Sequence, residues 1–169
     1  MKAQQDDTGR RYKKVVGTIG QQNEQLYFNL AQMLEVEDVY YSQEGSALDE
    51  FLKVDLVLEL DEEENLVLQI KSTEEQVDNF LENNPKVYYK NLQYPTPPAS
   101  CADKSNLELL FELSEFLGIP VRKKILEAIE LVQVFKKAGA QPPASVFRST
   151  SHSLQKLGLV KVSGGRFII

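Results

Sequence analysis

Residues 53–71 leave this chain few folding options, because KVDLVLEL and LVLQIK flank an acidic DEEEN. Both flanks alternate with period two and are rich in Val, Leu and Ile, the pattern of β-strands. DEEEN is too polar to bury and predicts the turn of a hairpin. Pairing Leu60 with Leu66 sets Asp55 opposite Lys71 and Val57 opposite Gln69. Strand side chains alternate faces, so Asp55, Glu59, Gln69 and Lys71 are expected on one side. Val54, Leu56, Leu58, Leu60, Leu66, Leu68 and Ile70 fall on the other and must cover a core. One face is apolar; the other gathers a carboxylate, a carboxamide and an ammonium.

The rest of the chain arranges itself around this hairpin. Residues 1–17 read as a polar tail with Arg10, Arg11, Lys13 and Lys14 clustered in it, a solvated end or a phosphate-contacting arm. Leu26, Tyr27, Leu30, Met33 and Leu34 recur at three and four, predicting a helix over 21–35. Glu24 then lies in the first turn, where its charge suits the helix dipole. Residues 36–42 predict a strand and 43–51 a loop. Residues 73–84 predict a second helix, with Thr73 as N-cap and Val77, Phe80 and Leu81 at helical spacing; Pro85 ends it. Residues 86–92 predict another strand. Helix, three strands, helix, strand describes an α+β domain with a mixed-sheet α/β core over 18–92.

Pro95, Pro97 and Pro98 mark 93–104 as a linker. Beyond it, Leu107, Leu110, Phe111, Ser114 and Leu117 give one face of a helix over 105–117. Ile125, Ile129, Val132 and Phe135 or Lys136 give the face of another over 120–137. A third helix is expected over 144–157. Strands at 159–162 and 166–169 close over Ser163-Gly164-Gly165. Three helices and a hairpin make 105–169 a winged-helix-like module.

Composition narrows the chemistry. The chain has 169 residues, 42% apolar and 26% charged, as in soluble globular proteins. No apolar run reaches membrane-spanning length, and the polar start lacks a signal-peptide stretch, so a cytoplasmic protein without a membrane partner is expected. Cys101 and His152 are the lone cysteine and histidine. That excludes an intrachain disulfide and a thiolate zinc cage, and leaves oxygen to hold any metal. The net charge of −6 is split: residues 1–102 carry 9 Lys and Arg against 19 Asp and Glu, whereas 103–169 carry 10 against 6. The first part repels nucleic acid and the second tolerates it.

An early helix Glu, an Asp-bearing strand, a short turn, a strand ending Gln-x-Lys, then helix and strand resemble the PD-(D/E)xK, restriction-endonuclease-like nuclease superfamily. Holliday-junction resolvases, modification-dependent restriction enzymes and one class of homing endonucleases belong to it. The resemblance covers about 18–92. It implies Asp55 as a metal ligand, Gln69 at the position of the second acidic ligand, Lys71 attending water and phosphate, and Glu24 as the helix carboxylate. Val54 replaces the motif's Pro, and Gln69 supplies an amide oxygen without charge. Mg²⁺ or Mn²⁺ is the implied cofactor and DNA the implied partner. Phosphodiester hydrolysis needs a hard Lewis acid and positive charge near the phosphate. The alternative is a cross-strand Asp55–Lys71 ion pair on a solvated sheet, with Glu59 a spare acid.

In the second module, Arg122, Lys123, Lys124, Arg148, His152, Lys156 and Arg166 are candidate DNA contacts. A solvated surface or a dimer interface would use the same residues. The leading expectation is a Mg²⁺-dependent endodeoxyribonuclease, with a homodimer or higher oligomer needed to cut both strands. The alternatives are an inactive nuclease-fold DNA-binding or regulatory protein, or an interaction module of a larger complex.

Overall fold

The structure, a computed structural model, describes residues 4–5, 11–12, 19–43, 45–46, 54–61, 64–71, 73–84, 92–93 and 104–169. In chain order these form β1 (Gln4–Gln5), β2 (Arg11–Tyr12), α1 (Ile19–Ala31), β3 (Asp38–Tyr41), β4 (Leu56–Glu59), β5 (Asn65–Leu68), α2 (Glu74–Asn83) and β6 (Leu92–Gln93). There follow α3 (Asn106–Leu117), α4 (Lys123–Ala138), α5 (Ser151–Lys156), β7 (Lys161–Ser163) and β8 (Arg166–Ile168). The class is mixed α+β. Strands β1 to β6 lie side by side in chain order, antiparallel throughout except for the parallel β5–β6 pair. The pair β7–β8 forms a separate antiparallel hairpin. Among the described residues no helix is long and apolar enough to cross a membrane. All of the predicted strand over 86–92 except Leu92, most of the Pro-rich 93–104 segment and Cys101 lie outside the described residues.

The central hairpin forms, but in a register two residues from the expected one. Leu56 pairs with Leu68 and Leu58 with Leu66, so Leu60 faces the turn rather than Leu66. Turn chemistry decides this. The Leu60 N–H donates to the Glu64 carbonyl (2.9 Å), and the Asp61 carboxylate accepts from the Glu64 N–H (2.9 Å). An Asx-type bond of this kind closes a tighter loop than DEEEN. A two-residue slip preserves the faces, because side chains alternate with period two. Leu56, Leu58 and Leu68 therefore still enter the core. The opposite face is not open to water, since Val57 is 2% and Gln69 6% exposed.

Around the hairpin, several boundaries differ from the sequence expectation. The polar N-terminal stretch contributes β1 and β2, which extend the sheet from β3 through backbone pairing that needs no apolar pattern. Helix α1 begins at Ile19, which puts Glu24 in its second turn, away from the end where a helix dipole acts. Helix α2 keeps its expected cap, with Thr73 Oγ1 accepting from the Gln76 N–H (3.2 Å). Helix α3 buries Leu109, Leu110 and Leu113 rather than Phe111, which is 43% exposed. The predicted helix over 144–157 shortens to α5. Its first half is a series of turns, in which the N–H of Val146 donates to Pro143 and that of Thr150 to Phe147. Ser145, Val146, Ser149 and Thr150 are weak helix formers. The turns also let Phe147 insert edge-on between Phe135 (6.5 Å) and Phe167 (6.0 Å).

A single apolar cluster runs through both parts of the chain. It joins Tyr27, Leu30, Leu34, Leu56, Leu58 and Leu68 to Leu109, Leu110, Leu113, Ile125 and Leu154. Each such side chain contributes about 1.5–3 kcal/mol by burial. Helix α1 packs on the sheet and on α3. Helix α3 ends at Gly118, whose φ of 68° is left-handed; its N–H donates to the Glu115 carbonyl, and the Ile119 N–H to Ser114. The chain then docks on the α1–β3 connection. Leu34 bridges Val121, the Glu35 N–H donates to Pro120 (2.8 Å), and the Arg122 N–H donates to Met33 (2.9 Å).

Candidate active site

Asp55 immediately precedes β4, and Gln69 immediately follows β5, so the hairpin places them together at its open end. The Asp55 backbone is fixed from both sides. Its N–H donates to the Leu68 carbonyl (2.8 Å), and its carbonyl accepts from the Ser42 N–H (3.0 Å). The Ser42 hydroxyl also donates to the carbonyl of Val54. On the side chain, Oδ2 of Asp55 accepts from Gln69 Nε2 and from the Ile70 N–H, both at 2.8 Å. Two N–H donors on one oxygen complement a carboxylate charge. The bond also offsets the cost of burying the Gln69 carboxamide.

Lys71 points elsewhere. Its Nζ lies 4.8 Å from the centroid of the Phe80 ring on α2, a cation–π contact. The expected opposition of Asp55 and Lys71 is removed by the register, which brings Gln69 rather than Lys71 beside Asp55. Glu59 sits at the far end of β4, paired with Asp38 and Asn65. Four residues of strand put it about 13 Å from Asp55, so it does not join the site.

Glu24 stands beside Tyr41. The Tyr41 phenol is stacked on Phe28 (4.6 Å, 9° between planes) and donates to Gln25 Oε1 (3.1 Å). Burial, and then the charge of Glu24, push its pKa well above the ordinary phenol range. Tyr41 is the register partner of Leu56, the neighbour of Asp55. Helix α1 therefore brings the charge of Glu24 within electrostatic range of this end of the sheet. Sequence reasoning found neither Tyr41 nor Phe80 as parts of this neighbourhood. Tyr41 falls within the strand predicted over 36–42 and Phe80 on the spacing of a predicted helix, and only the tertiary contacts distinguish them.

The oxygens of Asp55, Glu24 and Gln69 have the chemistry of a hard divalent-cation site. For Gln69 to take part, its carboxamide must turn so that Oε1 replaces Nε2 toward Asp55. Among the described residues no group of three or more His, Cys, Asp or Glu is gathered for a metal. A cation at this site would thus depend on the amide oxygen.

The candidate DNA contacts divide into two kinds. Arg122 is engaged: its Nε donates to the Gln32 carbonyl (3.2 Å) and its Nη2 to that of Val36. Lys123 lies 3.9 Å from Glu127 one turn along α4, and Lys124 is exposed beside it. Arg148, His152 and Lys156 are exposed on and before α5. Arg166, on β8, borders a cleft of about 540 Å³ formed with Gln141, Pro142, Pro143, Ala144 and Phe167. Comparison with protein-family models, with curated proteins and with solved structures finds no match.

Proposed function

We propose that this chain is a metal-dependent endonuclease acting on DNA, with Asp55, Gln69, Lys71 and Glu24 as its site. The observation that carries this reading is the convergence of Asp55 and Gln69 at the open end of the central hairpin, with Lys71 two residues further on. The order α1–β3–β4–β5–α2–β6, with only β6 parallel to its neighbour, supports a restriction-endonuclease-like sheet. The segment from α3 to β8 is then a winged-helix-like domain that holds the duplex. Bound Mg²⁺ or Mn²⁺ would polarise the phosphate and lower the pKa of a water. Asp55, Glu24 and the Gln69 amide oxygen would hold it. Lys71 would place positive charge where the phosphate gains negative charge. One site cuts one strand, so duplex cleavage requires a homodimer or larger assembly.

The test is cleavage of supercoiled plasmid and of a four-way junction with Mg²⁺, Mn²⁺ or EDTA. Metal-dependent cutting that disappears in Asp55→Ala and Lys71→Ala, both still folded, is the expected result. Retained cutting in both variants rules the site out. A second reading is favoured by one specific contact, the donation of Gln69 Nε2 to Asp55. A carboxylate satisfied in this way describes a nuclease fold that binds DNA without cutting it. That protein would shift DNA on a gel in EDTA and cleave nothing with either metal.

A further inference from the structure

We infer that Phe80 is a positioning residue for Lys71, an inference that rests on the endonuclease reading of the same site. Lys71 follows the end of β5 by three residues, in the stretch that holds Gln69, the partner of Asp55. Asp55 is bonded to Gln69, its neighbour by two residues, and the charge of Glu24 reaches Tyr41, the register partner of Leu56 next to Asp55. An ammonium on a flexible four-carbon stem would be drawn into an ion pair with either carboxylate. Such a pair would cancel the two charges a phosphodiester and its cation require. The structure shows another arrangement: the ammonium is held over the face of the Phe80 ring, 4.8 Å from its centroid. A ring face attracts a cation yet carries no charge of its own, so it holds Lys71 without neutralising it.

Phe80 is well placed to do this. It lies on α2, the helix that starts at the Thr73 cap just after Lys71. Its carbonyl accepts from both the N–H (3.0 Å) and Nδ2 (2.9 Å) of Asn84, which fixes the last turn of that helix. The ring is half-buried.

The experiment compares Phe80→Leu with Phe80→Tyr, which keeps the ring. Phe80→Met, of similar volume, serves if the leucine variant does not fold. Lysines are reductively methylated with ¹³C, and the Lys71 signal is assigned by its loss in Lys71→Arg. The expected result is an upfield, ring-shifted Lys71 methyl signal in the natural protein and in Phe80→Tyr, lost in Phe80→Leu. A signal unmoved by Phe80→Leu overturns the proposal. This readout needs no cleavage, so it decides the Phe80–Lys71 contact even if no variant cuts DNA and the endonuclease reading falls. Where the protein cuts, kcat in Phe80→Leu is expected to drop by about a hundredfold, the cost of misplacing a reacting group by about an ångström. KM for DNA stays within a few-fold and Phe80→Tyr restores kcat. Full-rate cutting by Phe80→Leu refutes the positioning role.

Discussion

Gln69 is a buried carboxamide whose donor end meets a carboxylate, and both readings of the site turn on which end it presents. Rotation of one terminal torsion exchanges Nε2 for Oε1, and that torsion is broad in energy. The residue can therefore serve as clasp or as ligand without a change of backbone. Tyr41 is the less adaptable neighbour. Its phenol is buried on Phe28 and bonded to Gln25, with the charge of Glu24 close by. Burial and that charge both oppose ionisation in the folded chain, so the folded pKa stands above the unfolded value of about 10. The contribution to stability is complete below pH 10. It declines as pH rises past 10, because the unfolded chain alone then releases the proton. Unfolding free energies from urea titrations are expected to fall more steeply above pH 10 in the natural protein than in Tyr41→Phe, by up to about 1.4 kcal/mol per pH unit. Parallel pH profiles for the two proteins would exclude Tyr41 from that decline.

The elements show why period was easier to read than position. Strand alternation in 53–71 survives any even slip, so the apolar face of β4 and β5 was legible although their register was not. The register goes with the bonds that Glu64 makes to Leu60 and Asp61, inside a run of acids that look alike in sequence. On α3 the error was a rotation. Leu110 is buried as expected and Leu107 and Leu117 pack against the core, yet Leu109 and Leu113 share that face and Phe111 does not, a choice that packing against α1 makes. Around α5 the difference is the helix itself: 144–150 forms turns, in which Phe147 lies edge-on to Phe135 and Phe167. That choice has a measurable consequence. Phe147→Ala removes the ring joining α4 to β8 and is expected to cost about 3–5 kcal/mol. Phe147→Leu, which refills most of the space, should lose well under half of that. Equal urea midpoints for the two variants would mean that the aromatic contacts do not hold this end of the molecule together.

Across the whole molecule, the largest surprise to a sequence reading is the splice between its parts. Arg122 belongs to a basic run that suggests nucleic-acid contact, but its guanidinium serves carbonyls 90 and 86 positions away. Backbone acceptors carry no signature in a sequence, so this role was not legible. The consequence is electrostatic. Phosphate affinity scales with the number of cations that release counterions, and the slope of log K against log salt is about −0.9 per contact. With Arg122 engaged on backbone, the exposed Lys and Arg candidates are Lys123, Lys124, Arg148, Lys156 and Arg166. Duplex binding by this surface is therefore expected to show a slope no steeper than about −4.5. Lys156→Ala or Arg148→Ala should each make it shallower by about 0.9, and weaken binding evenly across sequences. Arg122→Met, scored on the folded fraction, should leave the slope unchanged, because its charge is directed at carbonyls and not at phosphate. A slope that falls in Arg122→Met and holds in the other two would reverse this assignment. Absence of duplex binding even at low salt would remove DNA as the partner, and leave an acidic first half positioned for a basic protein instead.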